Sequence, residues 1–167
     1  EDLRHAAEAG HLRNVRGLSE KTEASVLEGI AALESNPRRM LLGPVEAIVA
    51  TLIAELSAVP GVVSIQPAGS YRRRRETIGD IDLLAETTEP ALLLERFTGL
   101  ASVDRVLGRG GHKAAVQLFR GPQVDLMVMA PGRLGAALIH FTGSKDHNVR
   151  LRGRARDRGW SLSEYGY

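Results

Sequence analysis

The segment Asp80-Ile81-Asp82-Leu83-Leu84 constrains this chain more than any other. Ile81, Leu83 and Leu84 read as an apolar strand, and on a strand residues two apart project to the same face. Asp80 and Asp82 therefore point the same way and can share a cation. Asp125 takes the same kind of position on a later strand, with Val124, Leu126 and Val128 expected to pack around it. Three carboxylates gathered on one sheet face repel one another unless cations neutralise them, which is how a two-metal site is assembled. D-x-D alone is common and equally describes a turn residue beside an exposed strand residue, so the residues upstream have to decide. Gly69-Ser70 closes the preceding strand, where a small residue lets backbone amides approach a phosphate and a hydroxyl can donate to one. Arg72 to Arg75 follow, and Gly79 directly precedes Asp80 with another amide free to face an anion.

Around this segment the pattern alternates between helix and strand. Residues 12–33 read as a helix, a tight turn at Gly17 and a second helix, with Ser19 as N-cap and Thr22 as a weaker alternative. Asn36-Pro37 breaks the second helix. Val45, Ile48, Val49, Leu52, Ile53 and Leu56 recur at helical steps over 44–57. After the Pro60-Gly61 turn, a strand from Val62 is expected to run to Gly69. Strands at 81–84, 103–107, 113–119 and 124–129 and helices at 91–97, 134–141 and 147–158 complete an α+β fold, a mixed sheet of about five strands with packed helices.

Composition narrows the chemistry. The 167 residues include no cysteine, so a metal must be held by Asp, Glu or His, which favours hard cations and Mg²⁺ in particular. Net charge is only +2, yet Arg supplies 19 of the 22 basic residues and clusters at 72–75 and in the 150–158 series. Arginine's planar fork matches phosphate, so the clustering points to a polyanionic partner. Arg150, Arg154 and Arg158 also fit a solvated helix face, and His5, His11, His112 and His147 suit surface or capping positions. No run approaches the roughly 20 apolar residues of a membrane span, and the N-terminus lacks the order of a secretion signal. A cytoplasmic protein is expected.

Residues 69–82, Gly-Ser-Tyr-Arg-Arg-Arg-Arg-Glu-Thr-Ile-Gly-Asp-Ile-Asp, resemble the palm motif of the family X DNA polymerases, the family of DNA polymerase beta, and most closely its bacterial members. The resemblance implies a nucleotidyltransferase-type palm in which Asp80 and Asp82 bridge two Mg²⁺ ions, or Mn²⁺. Asp125 then binds the catalytic metal near the primer 3′-hydroxyl. Gly69, Ser70, Arg73 and the Gly79 amide hold the nucleotide phosphates, with Arg39 adding a further contact. Residues 140–152, from His140-Phe141-Thr142-Gly143-Ser144 through Asn148 to Arg152, resemble the segment joining palm to thumb. There Phe141 and Gly143 pack on the nucleotide sugar, Asn148 touches the incoming base on its minor-groove edge, and Arg152 contacts the templating strand. Minor-groove acceptors shared by every base pair test pair shape without reading sequence. His140 departs from the tyrosine of vertebrate members.

The turn at Gly17 resembles a helix-hairpin-helix in which Gly17, Ser19 and Lys21 meet the DNA backbone, often with a bridging monovalent cation. The implied organisation is a partial-fingers hairpin at 1–43, a palm at 44–131 and a partial thumb at 132–167, with the chain a piece of a longer protein. The implied function is template-directed addition to a primer 3′-hydroxyl by a monomer acting on primer-template or gapped DNA and a deoxynucleoside triphosphate. A fragment that binds DNA and nucleotide with little turnover, and a non-templated nucleotidyltransferase, are the alternatives.

Overall fold

Alternation along residues 80–84 continues into a long strand, and that strand organises the fold. A computed structural model of the protein describes residues 2–15, 17–35, 39–164 and 166. The chain divides into two units, Glu1–Pro37 and Arg38–Tyr167.

The first unit holds helix α1 (Asp2–Glu8), a single 3₁₀ turn (Leu12–Asn14) and helix α2 (Glu20–Ser35). The helix expected ahead of Gly17 is thus only that one turn. Gly10 and Gly17, at φ +71° and +92°, bound too short a stretch for an α-helix. Within it, the Arg13 amide donates to Glu23 Oε2 at 3.3 Å while its guanidinium grips Oε1 at 2.5 and 3.1 Å. That hydrogen-bonded guanidinium holds the buried Glu23 carboxyl below the usual range. Ser19 does cap α2: the Thr22 amide donates to its Oγ at 3.2 Å, and the Ser19 amide donates back to Thr22 Oγ1 at 3.3 Å. Arg16 and the Asn36-Pro37 break lie outside the described residues.

The second unit contains β1 (Met40–Leu41), α3 (Leu42–Ser57), β2 (Val62–Pro67), α4 (Gly69–Arg72), β3 (Thr77–Ile78), β4 (Asp80–Thr87) and α5 (Pro90–Thr98). It continues through β5 (Val103–Arg109), β6 (Lys113–Leu118), β7 (Gln123–Met129), α6 (Leu134–Thr142) and α7 (Lys145–Arg156). Five strands form one sheet in the order β2-β4-β7-β6-β5, with β4 and β7 parallel and the other neighbours antiparallel. The expected mixed α+β architecture is what forms. Two details differ. Strand β2 ends at Pro67, and Gly69 opens the four-residue helix α4. A two-residue ladder between β1 and β3 had no periodicity long enough to reveal it.

One sheet face is the main core. Val45, Val49, Leu52 and Leu56 of α3 and Leu93, Leu94 and Phe97 of α5 pack with Ile81, Leu83 and Ala85 of β4 and Val124, Leu126 and Val128 of β7. The three β7 residues therefore face away from Asp125 and do not pack around it, because successive strand side chains alternate. On the opposite face Leu84, Met127 and Met129 pack beneath Ala137, Leu138 and Phe141 of α6. That helix covers only part of the sheet, which leaves the N-terminal ends of β4 and β7 open.

The far end of the covered face carries Glu86, a buried carboxylate. It accepts from the amides of Gly132, Arg133 and Leu134 at 2.7, 3.1 and 3.2 Å, and from Ser64 Oγ at 2.9 Å. Burial pushes its carboxyl up, but the Ser64 hydroxyl and the three amides outweigh it and hold the group below its usual range. This carboxylate fixes the start of α6. Glu86→Ala leaves those donors unpaired, and the expected loss is about 2–4 kcal/mol in urea denaturation at unchanged m-value.

Candidate active site

The parallel register pairs Asp80 with Gln123 and Asp82 with Asp125 across β4 and β7. All four side chains share the open face, making a two-by-two patch with three carboxylates and one amide. The Ala68 amide donates to the Asp82 carbonyl at 2.8 Å, tying the chain before α4 to β4. Gly69 follows at φ +55°, and a Cβ there would lie 1.9 Å from Asp82 Oδ2. Only glycine allows both that backbone conformation and that approach.

Burial pushes the Asp82 carboxyl up to about 6, with Asp80 and Asp125 adding repulsion and Arg73 opposing it. Asp125 is also raised, chiefly by burial and further by Asp80, while the Gln123 amide and Lys113 pull it down. The three carboxylates are therefore electrically coupled. Gln123 Nε2 donates to both oxygens of Asp125, at 2.9 and 3.2 Å.

A cleft of about 830 Å³ opens over Asp80 and Asp82 and is lined by Ser70, Arg73, Phe141 and Gly143. Arg73 Nη1 donates to the Thr142 carbonyl, joining the end of α4 to the end of α6. The Ser70 Oγ is buried without a partner among the described residues, as is Thr142 Oγ1. Arg39 also lines the cleft: its Nε donates to Thr77 Oγ1 at 2.9 Å and its Nη2 to the Thr77 carbonyl at 2.6 Å. Its guanidinium lies over Gly79, where a Cβ would meet Nη1 at 3.0 Å. Asn148 and Arg152 line the cleft too, but both turn to His140. Asn148 Nδ2 donates to the His140 carbonyl at 2.5 Å, and Arg152 Nη2 lies 2.8 Å from His140 Nδ1.

A second cavity of about 500 Å³ flanks the patch, lined by Asp125, Lys113, Arg109, Met127 and Phe141, with Asp82 on the wall common to both. Asp80, Asp82, Ser70, Arg73, Arg39, Phe141, Gly143, Asn148 and Arg152 thus converge on the first space, and Asp125 faces the second. Gly17, Ser19 and Lys21 belong to the first unit, where all three are exposed and Ser19 is engaged as a cap.

Among the described residues no three acidic or histidine side chains close into a cage that would hold a metal unaided. The donor set nevertheless fits a hard cation. Mg²⁺ characteristically binds through one or two carboxylates and leaves its other positions to water and substrate phosphate. The same cleft also carries the Ser70 hydroxyl, a polar group with no partner among the described residues.

Sequence reasoning missed Gln123, although its place two residues before Asp125 on an expected strand already puts it on the same face. It also missed Lys113 and Arg109, which reach the site only because β6 pairs with β7.

The sheet order, the paired aspartates and the glycine-serine turn define a nucleotidyltransferase palm. Residues 37–106 match the family model for the DNA polymerase beta palm, and residues 137–167 that for the DNA polymerase beta thumb. The DNA polymerase/3′-5′ exonuclease PolX of Bacillus subtilis is 32% identical over 99% of this chain and 30% of its own length. Repair DNA polymerase X of African swine fever virus is 28% identical over 62% of this chain and 63% of its own. DNA polymerase lambda of Rattus norvegicus is 29% identical over 64% of this chain and 22% of its own. The ternary primer-template complex of Leishmania infantum polymerase beta shares the fold with a TM-score of 0.72 at 21% identity, covering 99% of this chain and 67% of that one. The chain belongs to the family X DNA polymerases. It spans less than two thirds of the length of these curated relatives. No helix among the described residues is long and apolar enough to cross a membrane.

Proposed function

We propose that this chain carries the catalytic palm of a template-directed DNA polymerase that fills gaps by adding a nucleotide to a primer 3′-hydroxyl through two-metal phosphoryl transfer. The observation that carries this reading is the register of β4 and β7, which sets Asp125 directly beside Asp82 with Asp80 on the same face. Asp80, Asp82 and Asp125 would hold two Mg²⁺ ions, or Mn²⁺, which when bound stabilise the attacking and leaving oxygens of an in-line displacement.

The chain's own residues account for binding and orientation. Ser70 Oγ has a donor to spare for a phosphate oxygen, and Arg73 and Arg39 supply planar forks of positive charge along the same wall. The triphosphate therefore lies in the larger cleft. Phe141 and Gly143 line the same cleft, with Gly143 beside the Arg73 guanidinium, and a sugar packs against them. The second cavity, rimmed by Lys113 and Arg109, takes the primer end, which brings its hydroxyl to Asp125. Asp125 is then the carboxylate placed to accept that proton. Asn148 and Arg152 leave His140 to meet the incoming base and the template. Gly17, Ser19 and Lys21 meet the DNA backbone.

Arg73→Ala is expected to weaken deoxynucleoside triphosphate binding about 10- to 100-fold in a fluorescence titration, the equivalent of losing charged hydrogen bonds. The function itself is tested by extension of a gapped primer with Mg²⁺ or Mn²⁺. Extension that follows the template base supports the proposal. Equal extension of a strand lacking a template would make the protein a non-templated transferase, and gapped-DNA binding without extension would leave it a binding fragment.

A further inference from the structure

Three of the four same-face positions at the open ends of β4 and β7 are carboxylates, and the fourth is Gln123. A carboxylate there would have added a fourth negative charge to a crowded patch. A neutral amide does something different. An ionised carboxylate only accepts hydrogen bonds, so the amide nitrogen faces Asp125, and both carboxylate oxygens lie within its reach at 2.9 and 3.2 Å. These bonds occupy one lone pair on each oxygen and leave the others open. The donor is also well placed to hold a fixed direction. Gln123 and Asp125 sit on one strand two residues apart, and β7 is clamped between β4 and β6, with Gln123 opposite Gln117. Gln117 is itself tied down, its Nε2 donating to the Gly121 carbonyl at 2.7 Å and the Leu118 carbonyl at 3.2 Å.

We infer that Gln123 is a positioning residue that fixes the rotamer of Asp125, so that the carboxylate presents its free lone pairs toward Asp82 and a shared cation. The inference rests on the two-metal reading of the patch and deepens it. Gln123 touches neither substrate nor metal. It acts through Asp125, as hydrogen-bonding partners of metal ligands generally do.

Two readouts test this in the full chain. The first is Mn²⁺ binding to nucleotide-free protein, followed by the electron paramagnetic resonance signal of the free ion. Gln123→Leu keeps the volume and removes the donor, and its Mn²⁺ affinity is expected to fall about 10-fold or more at unchanged melting temperature. The second is gapped-primer extension, in which Gln123→Leu is expected to lower kcat about 10-fold while the nucleotide KM stays within about threefold. Gln123→His places a neutral ring N–H at similar reach and is expected to restore kcat to within about threefold of the parent. Unchanged Mn²⁺ affinity in Gln123→Leu would overturn the inference. So would tighter affinity, which would make Gln123 a competitor of the metal, and so would a histidine variant no faster than the leucine one. A parent protein that binds Mn²⁺ but does not extend a primer would sink the polymerase reading alone, and the Mn²⁺ comparison would still decide the role of Gln123.

Discussion

Asp125→Ala is expected to abolish primer extension, lowering kcat by on the order of 10³-fold or more while the protein stays folded. The magnitude follows from several kcal/mol of transition-state stabilisation, at about 1.4 kcal/mol per factor of ten. The side chain faces the open end of the sheet, and the residues that bury β7, namely Val124, Leu126 and Val128, lie on the other face. Removing the carboxylate also removes repulsion among three coupled acids. Its urea midpoint is therefore expected to match or exceed the parent's. Deoxynucleoside triphosphate affinity should change little, because Ser70, Arg73 and Arg39 line the other cleft. An alanine variant that extends a gapped primer at more than a few per cent of the parental rate would remove Asp125 from the chemistry.

Asp82→Asn is expected to separate stability from function in the opposite sense to most substitutions. The folded carboxyl is pushed up to about 6 from an ordinary value of 3.8. Between those values the folded state binds more protons than the unfolded chain, so without metal stability falls as pH rises through the window and levels off above it. The shift alone corresponds to up to about 3 kcal/mol, and solvent reaching this half-buried group reduces that to about 1–2 kcal/mol. Asparagine has the same shape and no charge. At about pH 7.5 with a chelator its melting temperature should therefore exceed the parent's by roughly 2–6 °C, and near pH 4 the two should converge. Mg²⁺ should raise the melting temperature of the parent and leave the variant unmoved, because a cation binding only the folded state stabilises it through these carboxylates. Extension should be lost. A less stable variant at about pH 7.5 would show that burial and repulsion do not strain this site.

How much of this was legible beforehand depended on how local each feature is. The α3 face was visible because Val45, Val49, Leu52 and Leu56 repeat at helical steps, and all four are buried. Strands β4 to β7 were legible from short apolar runs between turns. The segment before Gly17 was not: Gly10 and Gly17, both at positive φ, leave room for only one 3₁₀ turn, and Arg13 there reaches Glu23, ten residues away in sequence. Glu86 was overlooked for the same kind of reason. It shares a face with Asp80 and Asp82, yet nothing nearby in sequence shows that three amides from residues 132–134 converge on it. Asn148 and Arg152 were visible as members of a motif. Their attachment to His140 follows only from how α6 and α7 meet.

By itself the sequence determined that Asp80 and Asp82 share a face, since that needs only the two-residue period of an extended backbone. It also supplied Gly69 where no side chain can fit and Ser70 beside it. Tertiary structure decided that β7 lies parallel to β4, two strands in from the edge, in the register that sets Asp125 beside Asp82 and Gln123 beside Asp80. A slip of one residue would turn Asp125 into the core and Val124 out to the cleft. What prevents it is the burial of Val124, Leu126 and Val128 against α5 and the rest of the core, long-range packing that no local pattern encodes.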